Sequence, residues 1–297
     1  MKVDTFLAYL EHEKRYSSHT ITAYAGDLAQ FLNFIEEVGG LDSVAEADHW
    51  QVRSWVVDQL SRDVSPRTVN RKLSTLKTYF KFLLKRGDIG HNPMLKVVAP
   101  KTGKRLPVYL QAAEIDHLFE GIAFGDDYAG RRDRLLLELL YTTGMRRAEL
   151  IGLCVENIDL STLQIKVLGK GNKERLIPFG APLAKHIKAF MLIRAANFPD
   201  NAHPELLLTD KGKPFYPKAI YNIVKRYLSA VSTVEQRSPH TLRHTFATHL
   251  SNNGADLNAI KALLGHSSLA ATQVYTHNSI EKLKQIYQQA HPKAKSD

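Results

Sequence analysis

The sequence predicts a mainly helical protein of two domains, the second carrying a small β-sheet. Three observations carry this. Apolar residues recur at spacings of three and four through most of the 297 residues, the period of a helix with one buried face. Only between Leu163 and Pro178 does the period fall to two, around the turn Gly169-Lys170-Gly171-Asn172, as in a hairpin or small sheet. Glycine and proline crowd the stretch from Gly87 to Pro107, and a chain this long divides into about two domains.

Each element has its own signal. Phe6, Leu7, Tyr9 and Leu10 start an amphipathic helix. Ser17-Ser18-His19-Thr20 breaks it and caps the next, whose apolar face is Ile21, Tyr24, Leu28, Phe31, Leu32 and Ile35. Gly39-Gly40 ends that helix. A third helix spans Trp50–Leu60, with Trp50, Val52, Val56, Val57 and Leu60 as its apolar set. The fourth opens at Ser65-Pro66, a cap followed by the proline favoured at the first helical position. Leu73, Leu76, Phe80, Leu83 and Leu84 form its core face. The expected division is a helical domain over 1–90, a basic linker over 91–107 and a second domain over 108–297.

In the second domain, Ala112-Ala113-Glu114 opens a helix through Leu118 and Phe119. Arg131–Thr143 is a strongly apolar helix stopped by Gly144, and Met145–Leu153 is a shorter one. The hairpin follows, and helices resume from Ala181. The last, Ile280–Gln289, has Ser279 as its cap and puts Ile280, Leu283, Ile286 and Tyr287 on one face. A helix this short is marginal alone in water, so that face must be buried.

Composition excludes several classes. Hydrophobic residues are 44% and charged residues 24%, the make-up of a globular protein rather than a disordered, collagen-like or disulfide-rich chain. The single cysteine, Cys154, excludes an internal disulfide and a Cys-rich zinc site. No apolar run approaches the ~20 residues of a membrane span, and the N-terminus lacks a secretory core, so a cytoplasmic protein is expected. The net charge is +10. Residues 1–98 hold 13 basic and 12 acidic groups, and residues 99–297 hold 27 and 18. Such an excess points to a polyanion, nucleic acid first, with solubility as the plainer reading.

The fourth helix sharpens this. Arg67, Arg71, Lys72, Lys77, Lys81, Lys85 and Arg86 are unbroken by any acidic residue between Val64 and Gly87. A basic helix fits the major groove and neutralises phosphates beside it; the alternative is a solvated face, which normally mixes signs. Lys96, Lys101, Lys104 and Arg105 charge the linker, which either follows a DNA backbone or is a solvated tether.

No metal or nucleotide cofactor is expected. His240, His244 and His249 lie close in sequence, but no Glu follows His240 and no carboxylates accompany them. Gly169-Lys170-Gly171 lacks phosphate-loop spacing. What remains is cations and a phenol: Arg146 after a glycine break, Lys170 on a turn, His240 and Arg243 three apart on one helix face, His266 just past Gly265, and Tyr275. Together they answer the needs of attack on a phosphodiester. Arginines bind non-bridging oxygens in pairs, a lysine protonates a leaving alkoxide, histidines bond phosphate or relay protons, and a tyrosine forms a phosphate ester. Fixed cations would make a metal unnecessary.

These segments resemble one family in detail. Gly144-Met145-Arg146-Arg147-Ala148-Glu149-Leu150 is similar to the first arginine box of the tyrosine recombinases, or phage integrase family. Gly169-Lys170-Gly171-Asn172-Lys173-Glu174-Arg175 resembles their lysine hairpin, and Pro239-His240-Thr241-Leu242-Arg243-His244 their His-x-x-Arg box. Leu263-Leu264-Gly265-His266-Ser267-Ser268 and Thr272-Gln273-Val274-Tyr275-Thr276-His277 resemble the last histidine and nucleophile boxes. The motifs occur in order along nearly the whole chain. They are most similar to those of the bacterial Xer recombinases, an assignment favoured by a chain that opens on its core-binding helices with no arm-binding domain. A phage- or transposon-type integrase shares the chemistry. A type IB topoisomerase fits the His266 box less well, and a non-catalytic DNA-binding protein would not need Tyr275 and both arginines.

The resemblance implies a four-helix, SAM-like core-binding domain and a catalytic domain that together form a C-shaped clamp on duplex DNA. It implies Tyr275 as nucleophile in a 3′-phosphotyrosyl link, with Arg146 and Arg243 on the non-bridging oxygens. Lys170 would be the general acid, His240 and His266 would bond the phosphate, and Glu149 would orient Arg146. Arg67, Arg71, Lys77, Lys81, Lys101 and Lys104 are the expected DNA contacts. The implied partners are a recombination site, a homo- or hetero-tetramer on two sites with or without a paralogous Xer recombinase, and a septal DNA translocase of the FtsK type. Strand exchange would pass through a Holliday junction and resolve chromosome or plasmid dimers. The final helix would dock on its own domain or, by the resemblance, on the neighbouring protomer in a closed ring.

Overall fold

Residues 2–103, 108–169, 174–200, 202–265 and 277–294 are described by the computed structural model. The chain separates into two compact units, Met1–Arg105 and Leu106–Asp297.

The first unit is helical. α1 (Lys2–Ala8) continues into a wider turn over Tyr9–Glu13, and α2 (Ser18–Gly39) follows. The Ser17 hydroxyl accepts from the Thr20 amide at 3.3 Å, and Gly40 closes the helix at φ +59°. α3 (His49–Ser61) begins in a reciprocal cap: Asp48 accepts from the Trp50 amide at 2.6 Å, and Gln51 accepts from the Asp48 amide at 3.0 Å. α4 (Pro66–Arg86) has Ser65 as its cap and ends at Gly87. The core gathers Phe6, Leu28, Phe31, Trp55, Leu76 and Phe80.

The apolar set expected for α3 needs correction. Trp50 and Val57 are 62% and 66% exposed. The buried face is Val52, Trp55, Val56 and Gln59, which lie at the i, i+3, i+4, i+7 spacing of one helical stripe. Leu84 of α4 is likewise exposed. Lys72, counted above with the basic face, is buried. Its ammonium donates to Gln59 and, at 2.6 Å, to Gln30, joining α2, α3 and α4.

The Gly- and Pro-punctuated segment after α4 is not free chain in its first half. A tight turn over Pro93–Lys96 buries Pro93. Arg53 donates to the Lys96 carbonyl at 2.7 Å, and Asn70 to that of Pro100 at 2.9 Å.

The second unit is built around α6. α5 (Ala112–Asp116) runs into a wide turn over His117–Gly121, and α6 (Tyr128–Thr143) follows, buried on all sides from Leu135 to Thr143. α7 (Arg147–Ile151) leads to an antiparallel sheet of β1 (Ile158–Asp159), β2 (Gln164–Leu168) and β3 (Glu174–Pro178), in that order. Its register pairs Ile165 with Ile177 and Leu168 with Glu174. Helices then resume as α8 (Ala181–Asn197), α9 (Pro217–Val231), α10 (Pro239–Asn252) and α11 (Leu257–Leu264). α8 and α10 both pack on α6.

α12 (His277–Ala290) has its apolar face covered by its own unit. Leu283, Tyr287 and Ala290 join Phe246, Leu250, Ile260 and Leu263 in a second core. Asn253 donates to the Ala290 carbonyl at 2.7 Å. The chain then crosses Gly180, where a Cβ would lie 2.5 Å from the Ala294 carbonyl oxygen.

Candidate active site

Two helix ends and one helix start meet at a cluster of arginines. α6 stops at Gly144, which takes φ +58°. A Cβ there would lie 2.4 Å from Phe246, so glycine meets both the backbone and the packing requirement. Arg146 then precedes α7 in extended conformation. Glu149, in the first turn of α7, accepts the Arg146 amide at 2.6 Å and its Nη1 at 2.8 Å. Arg146 Nη2 reaches the Gly265 carbonyl at 3.0 Å.

Arg243 arrives from α10. Its guanidinium donates to the Gly144 carbonyl and, at 2.6 Å, to that of Leu264. Both arginines are therefore seated on the terminal carbonyls of α11, and Arg243 also on the end of α6. Helix C-termini carry partial negative charge and orphan acceptors, which suits cations. Arg243 is 9% exposed, and no carboxylate bonds it among the described residues.

The fourth member was not anticipated. Arg175 of β3 donates through Nη1 and Nη2 to the two Glu149 oxygens at 2.7 and 2.9 Å, and through Nε to the Leu263 carbonyl at 2.9 Å. A signal for it existed: Arg175 shares a strand face with Ile177, so the alternating pattern turns a cation inward.

The electrostatics are lopsided. Three guanidiniums surround one carboxylate. Burial alone would raise the pKa of Glu149, but the hydrogen bonds from Arg175 and the Arg146 amide bring it below the ordinary value. Arg243 is pushed down to about 10 by burial and then by the charges of Arg146 and Arg175. It stays cationic near neutrality, its repulsion by Arg146 and Arg175 only partly offset by Glu149. His240, exposed in the first turn of α10, is shifted below 6.5 by partial desolvation and by Arg147, Arg243 and Arg146. Its neutral form is thereby favoured. An excess of two positive charges at a partly open site is suited to an anion with several oxygens.

The structure thus brings Arg146, Glu149 and Arg243 together, with His240 on the helix that carries Arg243. Lys170, His266 and Tyr275 lie outside the described residues, as does Lys104. No group of three or more metal-ligating side chains occurs among the described residues. On α4, Arg67, Lys77 and Lys81 are exposed along one stripe, and Lys101 is exposed beyond it. Arg71 differs: its fork grips Asp27, at 2.7 Å for the Nη2–Oδ1 bond, while Thr75 donates to the same carboxylate at 2.8 Å.

A helical unit with a basic helix is thus followed by a mostly helical unit whose arginine cluster is suited to a polyanion such as a nucleic-acid backbone. Residues 109–282 match the phage integrase family, and residues 3–87 match the N-terminal SAM-like domain of phage integrases. The chain belongs to this family, the tyrosine recombinases, which cut and rejoin DNA at specific sites. It is 38% identical to tyrosine recombinase XerC of Bacillus subtilis (strain 168), over 98% of this chain and 96% of the relative. The XerC of Chlorobaculum parvum is 35% identical, over 98% and 94%. Among solved structures, XerH bound to a palindromic difH substrate in a post-cleavage complex shares the fold with TM-score 0.71 at 21% identity, over 96% of this chain and 83% of that one. So does the Tn1549 transposon integrase in complex with circular intermediate DNA, with TM-score 0.71 at 21% identity, over 95% and 98%.

Proposed function

We propose that this recombinase cuts one DNA strand at a time by attack of Tyr275 on the scissile phosphate. A 3′-phosphotyrosyl link forms as the phosphorus–5′-oxygen bond breaks, and Lys170 protonates the departing oxygen. Arg146 and Arg243 hold the non-bridging oxygens through the phosphorane. His240 and His266 bond the phosphate, and a neutral imidazole is able to accept the tyrosine proton. Attack by the 5′-hydroxyl of the partner strand reverses the chemistry. The ester conserves the bond energy, so joining needs no ATP.

The observation that carries this reading is the excess positive charge of Arg146, Arg175 and Arg243 around Glu149, the electrostatic complement of a phosphorane. The working division is residues 1–90 as core-binding domain, 91–107 as linker and 108–297 as catalytic domain, both units engaging DNA. Arg67, Lys77, Lys81, Lys101 and Lys104 contact phosphates, and Arg71 chiefly braces Asp27. The similarity to proteins named XerC supports a role in resolving chromosome or plasmid dimers through a Holliday junction. That role would engage four protomers on two sites, a paralogous recombinase or a second copy of this chain, and a septal translocase of the FtsK type. The enzyme would act on the nucleoid in the cytoplasm. No described helix is long and apolar enough to cross a membrane.

A nicked suicide duplex carrying the site tests the chemistry. The wild-type chain forms an SDS-resistant adduct, and Tyr275→Phe forms none. An undiminished adduct in that variant would overturn the assignment of the nucleophile.

A further inference from the structure

Arg175 has no step of its own in the reaction proposed above, yet its guanidinium is wholly committed within the site. Two of its nitrogens hold the two oxygens of Glu149, and the third holds the Leu263 carbonyl. Its side chain is 4% exposed. The fit is close: a Cβ on Gly265 would lie 2.9 Å from Arg175 Cδ. An ion pair this deeply buried is a weak source of net stability, because the desolvation of both charges offsets their attraction. Its geometry does more.

We infer that Arg175 is a positioning residue that sets the orientation and charge of both phosphate-binding arginines. Gripping both Glu149 oxygens stops rotation of the carboxylate, and the same two oxygens accept from the Arg146 amide and Nη1. The bond to the Leu263 carbonyl fixes the end of α11. The next two carbonyls, Leu264 and Gly265, hold Arg243 and Arg146. The charge matters as well as the fork. With Arg175 present, Glu149 divides its negative charge between two arginines, so Arg146 keeps positive potential for a phosphate. With Arg175 removed, Glu149 would neutralise Arg146. Placement on β3, which pairs with β2, ties these arginines to the sheet. The inference rests on the reading of Arg146 and Arg243 as phosphate-binding groups.

Single-turnover cleavage of the suicide duplex tests it, with either a phosphodiester or a neutral methylphosphonate at the scissile position. Arg175→Lys keeps a charge but loses the fork, and Arg175→Gln loses the charge. Arg175→Lys is expected to bind uncut duplex within about threefold of wild type and to cleave the phosphodiester about tenfold or more slowly, losing transition-state stabilisation rather than binding. On the methylphosphonate, where less negative charge develops, its deficit shrinks in parallel with that of Arg146→Lys. Arg175→Gln shows the larger deficit on the phosphodiester. Equal deficits on both substrates, or cleavage at the wild-type rate, would overturn the inference. If Arg175→Lys fails to fold, the same comparison on Arg175→Gln decides; if neither folds, Arg175 is a folding residue and the inference falls. Absence of an adduct with the wild-type chain defeats the underlying reading instead, so the two failures are distinguishable.

Discussion

Gly144 and Phe246 touch so closely that a single methyl group on the glycine would sit 2.4 Å from the phenylalanine ring. Phe246 lies one turn along α10 from Arg243, whose guanidinium donates to the Gly144 carbonyl. Packing and site geometry therefore share one atom cluster. Gly144→Ala combines a left-handed backbone with overpacking against a buried ring and should lower stability by about 3 kcal/mol. Urea unfolding measures this. A variant as stable as wild type would show that the contact yields at little cost.

Arg146→Lys separates binding from chemistry. A lysine cannot bond Glu149, the Gly265 carbonyl and a phosphate together, because it lacks the planar fork. Cleavage should fall by ~10²–10³, the usual effect of losing one transition-state donor, while duplex affinity and melting temperature change little. Unfolding of the variant, or wild-type cleavage, would remove Arg146 from the proposed role.

Two cations of α4 should behave differently. Arg71→Ala strips the buried Asp27 carboxylate of its bidentate partner and leaves it, among the described residues, the Thr75 hydroxyl as its side-chain hydrogen bond and the nearby charge of Lys72. A loss of about 2 kcal/mol is expected, less than for a fully buried pair because Arg71 is half exposed. Lys81→Ala should leave stability unchanged and reduce the salt dependence of DNA binding by about one unit of slope. Titrations at several salt concentrations, run beside denaturation, resolve the two roles.

Much of this architecture was legible in the sequence. Caps and breakers mark α2 and α4: Ser17, Gly40, Ser65, Pro66 and Gly87 stand where local backbone chemistry requires them. Arg146, Glu149 and Arg243 were legible as motif members, and three of the four site residues described above are theirs. Arg175 was not chosen, because its value lies in bonds to residues 26 and 88 positions away. Lys72 differs from its neighbours for a similar reason: a charge run says nothing of which cation finds Gln30 and Gln59. Trp50 and Val57 are apolar by type but lie off the stripe of Val52, Trp55, Val56 and Gln59, and so are exposed. Burial of α12 on its own unit depends on Phe246 and Leu263, which no local pattern identifies as its partners.

Acid should destabilise the second unit through His291. Complete burial holds its pKa near 3, against an ordinary value of 6.5. Between those values the unfolded chain binds a proton that the folded chain refuses. Stability is therefore intact above about pH 6.5 and falls as the pH drops toward 3, by about 1.4 kcal/mol per pH unit. His249, also lowered by burial, acts in the same direction. His291→Phe keeps the aromatic contacts with Tyr141, Phe246 and Tyr287 and should flatten the profile by about one proton. An unchanged slope would assign the acid sensitivity elsewhere.

Cleavage should persist in EDTA, since fixed guanidiniums take the place of a Lewis acid in the proposed chemistry. Loss of the adduct on chelation, with recovery on adding a divalent ion, would reject that mechanism.

The crowding of Arg146, Arg175 and Arg243 around one carboxylate also couples occupancy to folding. The unliganded centre is held together against its own like charges, and any multivalent anion that settles there relieves them. Such an anion binds the folded chain and not the unfolded one, so mass action raises the melting temperature as its concentration rises. In the proposed chemistry, the scissile phosphate would be both the group to be cut and a ligand that stabilises the folded site.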